Sequence, residues 1–253
     1  MKFKFIYLSL FFLLSACPGK KEVENNDIEK KERTYMVATD ATYAPFEFQT
    51  GSQEIVGFEI ELFKEIAKAE GLSIQFLNTP WEGIFTQLLN GDRDIVVSAV
   101  TITEERKKTL AFSDPYFEAK QLIAVNKNIN IKNLSDLKNF KTAVQTATTG
   151  DEILQKIFGK SHGNLKRFES IPLALKELEN GSVDAVVADN GVVMNYVKNN
   201  SQKFKLVEDD TVQKEYYGFA FRPGDKELIE KINQGIKKVK DNGVYQQIYK
   251  KYF

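Results

Sequence analysis

Eight residues in the first half of this 253-residue chain return in outline ninety positions later. Asn90-Gly91-Asp92-Arg93-Asp94-Ile95-Val96-Val97 reappears as Asn180-Gly181-Ser182-Val183-Asp184-Ala185-Val186-Val187, each time after an amphipathic stretch. Asn-Gly stops a helix because both residues tolerate a left-handed backbone. The apolar run that follows has the character of a strand buried on both faces of a parallel sheet. The echo divides the chain into two similarly built lobes. Beyond each strand the sequence turns polar, through Ser98, Ala99, Val100 and Thr101 in one copy and Ala188, Asp189 and Asn190 in the other. Open α/β sheets bind ligands at the carboxyl ends of their strands. Two lobes with those ends facing each other enclose a single cleft.

The remaining periodicities fit an α/β architecture. Tyr35 to Thr39 and Ser73 to Leu77 read as strands. Phe58 to Glu70 carries Leu62, Phe63, Ile66 and Ala69 at helical spacing before a stop at Gly71, and Glu82 to Asn90 reads as a helix with Phe85, Leu88 and Leu89 inward. Near the C-terminus Leu228, Ile229, Ile232, Ile236 and Val239 form one helix face, and Tyr245, Ile248, Tyr249 and Phe253 follow a break at Asn242-Gly243. That segment is too short for a third domain. Docked on the first lobe, it makes that lobe discontinuous and requires the chain to cross between lobes twice.

The folded part is expected to begin near Arg33. Before it, Lys2 and Lys4 precede an apolar run from Phe5 to Leu14, which has the form of a secretory signal. The run holds about ten residues, half of the ~20 that a helix needs to cross a bilayer. Leu14-Ser15-Ala16-Cys17 resembles the bacterial lipoprotein signal, in which the cysteine is acylated and becomes the new N-terminus. Cys17 is the chain's one cysteine, so it has no internal disulfide partner. Residues 1–16 are thus expected to be a signal peptide, and the charged, asparagine-containing stretch to Glu32 a flexible tether. Lysine plus arginine and aspartate plus glutamate each total 35. Removal of the signal leaves a slight acidic excess, which argues against a nucleic-acid partner.

Few residues are suited to catalysis. There is no phosphate-binding glycine loop and no cluster of metal ligands, and the single histidine, His162, lies in the polar stretch Lys160 to Asn164. No cofactor or metal is expected. Groups suited to a zwitterion are present instead. Arg106 follows Thr101-Ile102-Thr103, with Glu104 three residues after Thr101 as in a capping box. A guanidinium there would fork onto a carboxylate beside free helix amides, or it would belong to a solvated basic face with Lys107 and Lys108. Thr146-Ala147-Thr148-Thr149-Gly150 opens another amphipathic helix, with Ile153, Leu154, Ile157 and Phe158 on one side. Asp189 either accepts from a ligand ammonium or caps the helix of residues 190–199.

Ala38-Thr39-Asp40 through Ala44-Pro45-Phe46-Glu47-Phe48, Val56-Gly57-Phe58-Glu59, Ser98 to Arg106, Phe112-Ser113-Asp114-Pro115-Tyr116 and Val183-Asp184-Ala185-Val186 occur in this order. Together they resemble the polar amino-acid-binding proteins of ATP-binding-cassette importers, the family 3 solute-binding proteins. The resemblance covers nearly all of Arg33 to Phe253. It implies a type II periplasmic-binding-protein fold, two lobes of mostly parallel sheet flanked by helices, with a two-strand hinge near 116–124 and 214–219. Lobe 1 would comprise 33–119 and 216–253, and lobe 2 residues 120–215. It further implies that Arg106 grips a ligand α-carboxylate with the amides of Thr101 and Thr149. The α-ammonium would fall to Asp189, the Thr101 hydroxyl and the Ala99 carbonyl. Asp40, Tyr43, Trp81 and Gln145 complete the wall. Tyr43 and Trp81 are suited to sandwich a flat cation and Asp40 to meet its charge, so the expected ligand is a free basic amino acid, arginine ahead of lysine, with glutamine next.

The chain so read is a monomer, held at the membrane in the periplasm or on the cell surface by lipidated Cys17, that delivers its ligand to an importer's permease subunits. The rival reading from another class is an enzyme on the same scaffold that dehydrates cyclohexadienyl acids such as arogenate.

Overall fold

A computed structural model describes residues 33–253. The expected signal of residues 1–16, Cys17 and the tether to residue 32 lie outside the described residues. Two five-stranded sheets organise the rest. The first runs in the order Ser73–Asn78, Thr34–Thr39, Ile95–Val96, Ala220–Phe221, Ala111–Phe112, and the second in the order Leu165–Phe168, Thr142–Gln145, Ala185–Asp189, Gln121–Asn126, Phe204–Val207. In each sheet the fourth strand runs against the other four. The two strands of the sequence echo occupy the same third place. Their preceding glycines, Gly91 and Gly181, adopt φ of 85° and 74°, the left-handed backbone that the Asn-Gly pairs led us to expect.

Helix Phe58–Ala69 covers the first sheet and buries Phe58, Leu62, Phe63 and Ile66. Helices Lys226–Asp241 and Val244–Tyr252 pack on it and add Ile232, Ile236, Val239 and Ile248 to the same core. The C-terminal segment therefore returns to the first sheet, as its apolar face requires. Two chain crossings join the halves. Strands Phe117–Ala119 and Glu215–Tyr217 pair antiparallel as a ribbon, with Tyr217 opposite Phe117.

An aromatic cluster sits at this junction. Phe46 meets Phe117 edge to face at 4.9 Å between centroids, Tyr217 at 5.3 Å and Phe253 at 5.3 Å. Burial of such a ring contributes roughly 1.5–3 kcal/mol, so the cluster is a firm base beneath the strand ends.

One helix differs from the sequence expectation. The segment 82–90 becomes helical only at Ile84, after Gly83 takes a left-handed φ of 86°. Ile84 and Leu88, four residues apart, face inward, whereas Leu89 is 45% exposed. A helix of two turns presents a single inward stripe, and Leu89 lies off it. Among the described residues no helix is long and apolar enough to cross a membrane.

Candidate functional site

The strand ends of the two sheets face a single cleft, and all nine residues proposed for the site line it: Asp40, Tyr43, Trp81, Ala99, Thr101, Arg106, Gln145, Thr149 and Asp189. Their positions follow from the topology. Asp40 succeeds strand Thr34–Thr39, Gln145 ends Thr142–Gln145, Asp189 ends Ala185–Asp189, and Ala99 and Thr101 follow Ile95–Val96. Glu47, Ser98 and Thr148 complete the lining.

Arg106 does not stand in the first turn of a capped α-helix. Ile102 N–H donates to Tyr216 O at 2.8 Å and Thr101 bridges Tyr217, so the ribbon holds this stretch extended. Only a single 3₁₀ turn, Arg106–Lys108, forms. The Thr101–Glu104 capping box is absent. Thr103 Oγ1 instead accepts from Arg106 N–H at 3.1 Å, and Glu104 pairs with Lys107 at 2.8 Å. The guanidinium nevertheless points into the cleft. Nη1 donates to Thr101 O at 2.9 Å and Nη2 to Ala147 O at 3.5 Å, and Trp81 and Phe85 present ring centroids at 5.3 and 5.5 Å. Burial lowers its pKa, but an arginine stays cationic.

Asp189 occupies the N-cap position of helix Asn190–Asn199 without capping it. Its carboxylate turns into the cleft, where it accepts from Tyr43 OH at 2.6 Å and from Gln121 Nε2. Burial raises its pKa, and these donors and the Arg106 charge partly offset that rise. Asp40 is also pushed up by burial, against hydrogen bonds donated by Thr42 Oγ1 at 2.9 Å and Gln145 Nε2 at 3.2 Å. Thr148, not Thr149, caps helix Thr149–Phe158, accepting from Asp151 N–H at 3.2 Å. Ala99 and Ala147 line or flank the cleft at φ of 45° and 59°. Non-glycine residues rarely adopt this strained backbone, and it concentrates at functional sites.

Tyr43, Asp40, Trp81 and Arg106 come from the first half, and they meet Asp189, Gln145 and Ala147 of the second through four hydrogen bonds, including Trp81 Nε1 to Ala147 O at 3.4 Å. His162 is exposed, far from this chemistry in role, and lends Nδ1 to Asn164 N–H at 3.2 Å.

Sequence reasoning about the site missed its deepest acids. Glu47 and Glu59 are fully buried and their carboxyls meet. Ser98 Oγ donates to Glu47 at 3.2 Å, while Ala99 N–H donates to Glu59 at 2.7 Å and Tyr116 OH to its other oxygen. A signal was available, since Glu59 falls on the inward stripe of its helix with Leu62, Phe63 and Ile66. Glu215, on the ribbon, was missed as well, with only its place within the expected hinge to mark it.

Comparison with known proteins identifies the family and the fold. Residues 35–253 match the bacterial extracellular solute-binding proteins, family 3. A probable histidine-binding protein of Neisseria gonorrhoeae is 42% identical over 244 residues, 95% of this chain and 90% of that protein. The crystal structure of the arginine-, lysine-, histidine-binding protein ArtJ from Geobacillus stearothermophilus superposes with a TM-score of 0.83 at 43% identity, covering 87% of this chain and 95% of that one. An ancestral amino-acid-binding protein described as a precursor of cyclohexadienyl dehydratase superposes at 0.80 with 38% identity, covering 87% and 95%. The fold is the two-lobed type II arrangement of these proteins, and the chain belongs to the bacterial extracellular solute-binding proteins of family 3.

Proposed function

We propose that the cleft binds a free basic amino acid, arginine ahead of lysine, and that the loaded protein delivers it to the permease of an ATP-binding-cassette importer. The observation that carries this reading is the charge pattern of the cleft. One guanidinium, Arg106, and the carboxylates of Asp189 and Asp40 line the same cleft. A zwitterion satisfies Arg106 and Asp189. Asp40 then calls for a second cation, at the tip of a side chain held between Tyr43 and Trp81. In this reading the Thr101 and Thr149 amides assist Arg106, and the Thr101 hydroxyl and Ala99 carbonyl assist Asp189. Glutamine is the nearest uncharged rival, because Asp40 also accepts from an amide. The relatives named for histidine add that amino acid to the test.

The lobes, 33–119 with 216–253 and 120–215, rotate about the ribbon, and ligand contacts from both sides hold them closed. We place the mature protein as a monomer in the periplasm or at the cell surface, anchored through lipidated Cys17. We also take it to be a binding protein without catalysis of its own. The titration that tests these assignments uses protein freed of carried-over ligand by partial unfolding and refolding, against all twenty amino acids. Micromolar or tighter binding of arginine or lysine is expected, with no aromatic product from prephenate or arogenate. Tight glutamine or histidine binding would keep the class and overturn the reading of Asp40. Turnover of either cyclohexadienyl acid would move the chain among the enzymes.

Closure itself has a steric signature. Gly191, two residues beyond Asp189, faces Phe46 and Phe253, and a Cβ there would fall 2.6 Å from Phe46 Cε2 and 3.1 Å from Phe253 Cε1. Both rings belong to the packed junction and have little room to yield. Gly191→Ala is therefore expected to weaken ligand binding about tenfold, since a clash costs on the order of 1–3 kcal/mol. Small-angle scattering should show a ligand-loaded variant more open than wild type. Equal compaction of the two would refute the steric argument.

A further inference from the structure

The ribbon carries a charged group that the binding chemistry above leaves unused. Glu215 lies outside the cleft lining, yet its Oε2 is the acceptor on which three donors converge: Thr149 Oγ1 at 3.0 Å, Gln121 Nε2 at 3.1 Å and Thr101 Oγ1 at 3.4 Å. Thr101 follows a strand of the first sheet. Thr149 and Gln121 begin a helix and a strand of the second half. The same Gln121 nitrogen also donates to Asp189. One oxygen on the crossing ribbon thus ties both halves together; two of the ties end on Thr101 and Thr149, which line the cleft, and the third reaches Asp189 of the lining through Gln121. Burial and the Asp189 charge raise the Glu215 pKa, whereas Gln121, Thr149 and Arg106 favour the ionised form. Only an ionised carboxylate accepts freely from all three donors.

We propose that Glu215 is the positioning residue of the binding site, setting from the ribbon the hydroxyls of Thr101 and Thr149 and, through Gln121, the carboxylate of Asp189. The proposal rests on the reading that the cleft takes an α-amino acid. Under it, Glu215 governs the grip on the amino-acid head group and leaves side-chain selection to Asp40, Tyr43 and Trp81. Two consequences separate this role from general support of the hinge. Loss of Glu215 weakens binding of different amino acids by one common factor. Its effect is also shared with the Thr149 hydroxyl through which it acts.

The test titrates wild type, Glu215→Ala, Thr149→Val and the double variant with arginine and lysine. Thr149→Val removes the hydroxyl and keeps the backbone amide. Glu215→Ala is expected to bind both ligands roughly 10- to 100-fold more weakly, with the arginine-to-lysine ratio unchanged, the range seen when hydrogen bonds to a charged group are lost. Adding Thr149→Val to it should cost less than about twofold more, against several-fold in the wild-type background, as coupled residues do. Where the alanine variant lowers the melting temperature, Glu215→Gln gives the same readout with the side chain's bulk retained. Additive losses, an altered ligand ratio or wild-type affinity in the Glu215 variants would overturn the proposal and leave the function standing. A wild-type protein that binds no amino acid would overturn both.

Discussion

Alanine at position 106 is expected to weaken amino-acid binding by roughly 100- to 1,000-fold, about 3–4 kcal/mol, with the fold intact. The asymmetry follows from what Arg106 touches. In the protein itself the side chain makes two hydrogen bonds, both to backbone carbonyls at the cleft, and its guanidinium lies over the rings of Trp81 and Phe85. Neither sheet depends on it. A ligand carboxylate held in the same cleft has no other side-chain cation among the lining residues, so its removal leaves a buried anion without a charged partner. Arg106→Lys should recover little, because an ammonium can neither fork onto a carboxylate nor stack on Trp81 in the same way. Calorimetric titration beside a thermal melt measures both quantities. Unchanged affinity in Arg106→Ala, with a normal melt, would take the carboxylate site elsewhere.

The sequence carried the sheets more clearly than the site. The Asn-Gly echo located equivalent strands because its signal is local: a left-handed stop, then a run of branched apolar residues. Ala99, Thr101 and Asp189 were legible for a related reason, since strand ends in an open α/β fold have a predictable address, whereas Asp40, Tyr43, Trp81 and Gln145 came only with the family resemblance. What a local pattern does not contain is the partner each polar group finds across the fold. Thr101 looked like a helix cap because the next three residues spell one, but Tyr216 and Tyr217, more than a hundred positions away, hold it extended. Asp189 sits at an N-cap position, and Tyr43 and Gln121 draw its carboxylate off that duty. Glu215 was invisible for the same reason, since its three donors come from three separate segments.

The buried acid pair offers the sharpest contrast in stability. Glu59 receives donors at both oxygens, from Ala99 N–H and Tyr116 OH, and the Glu47 carboxyl meets it as well. Glu47 accepts only from Ser98, and its other oxygen has no donor among the protein groups, as fits an oxygen that carries a proton toward Glu59. Burial raises both pKa values, and the Glu59 charge raises that of Glu47 further. Two carboxyls in contact titrate as a unit, and the donor pattern, two onto Glu59 against one onto Glu47, predicts that a proton held by the pair resides on Glu47. Glutamine at 47 reproduces that state, its amide donating where the acid did, and is expected to change stability by less than about 1 kcal/mol at acidic pH, where the unfolded acid is protonated too. Glutamine at 59 turns an amide toward donors and is expected to cost about 3–5 kcal/mol, the scale of a broken buried charge network. The pH dependence has a definite sign. A folded-state pKa above the unfolded one contributes stability that is fully present below the unfolded value and is lost as pH rises through the folded value. Wild type should therefore lose stability relative to Glu47→Gln as the pH climbs from the ordinary carboxylate range through the raised Glu47 pKa, because the variant has nothing there to ionise. Urea melts of both proteins across that range measure the difference. Parallel curves, or equal losses from Glu47→Gln and Glu59→Gln, would mean that no proton is shared and that the two acids are held by their separate hydrogen bonds alone.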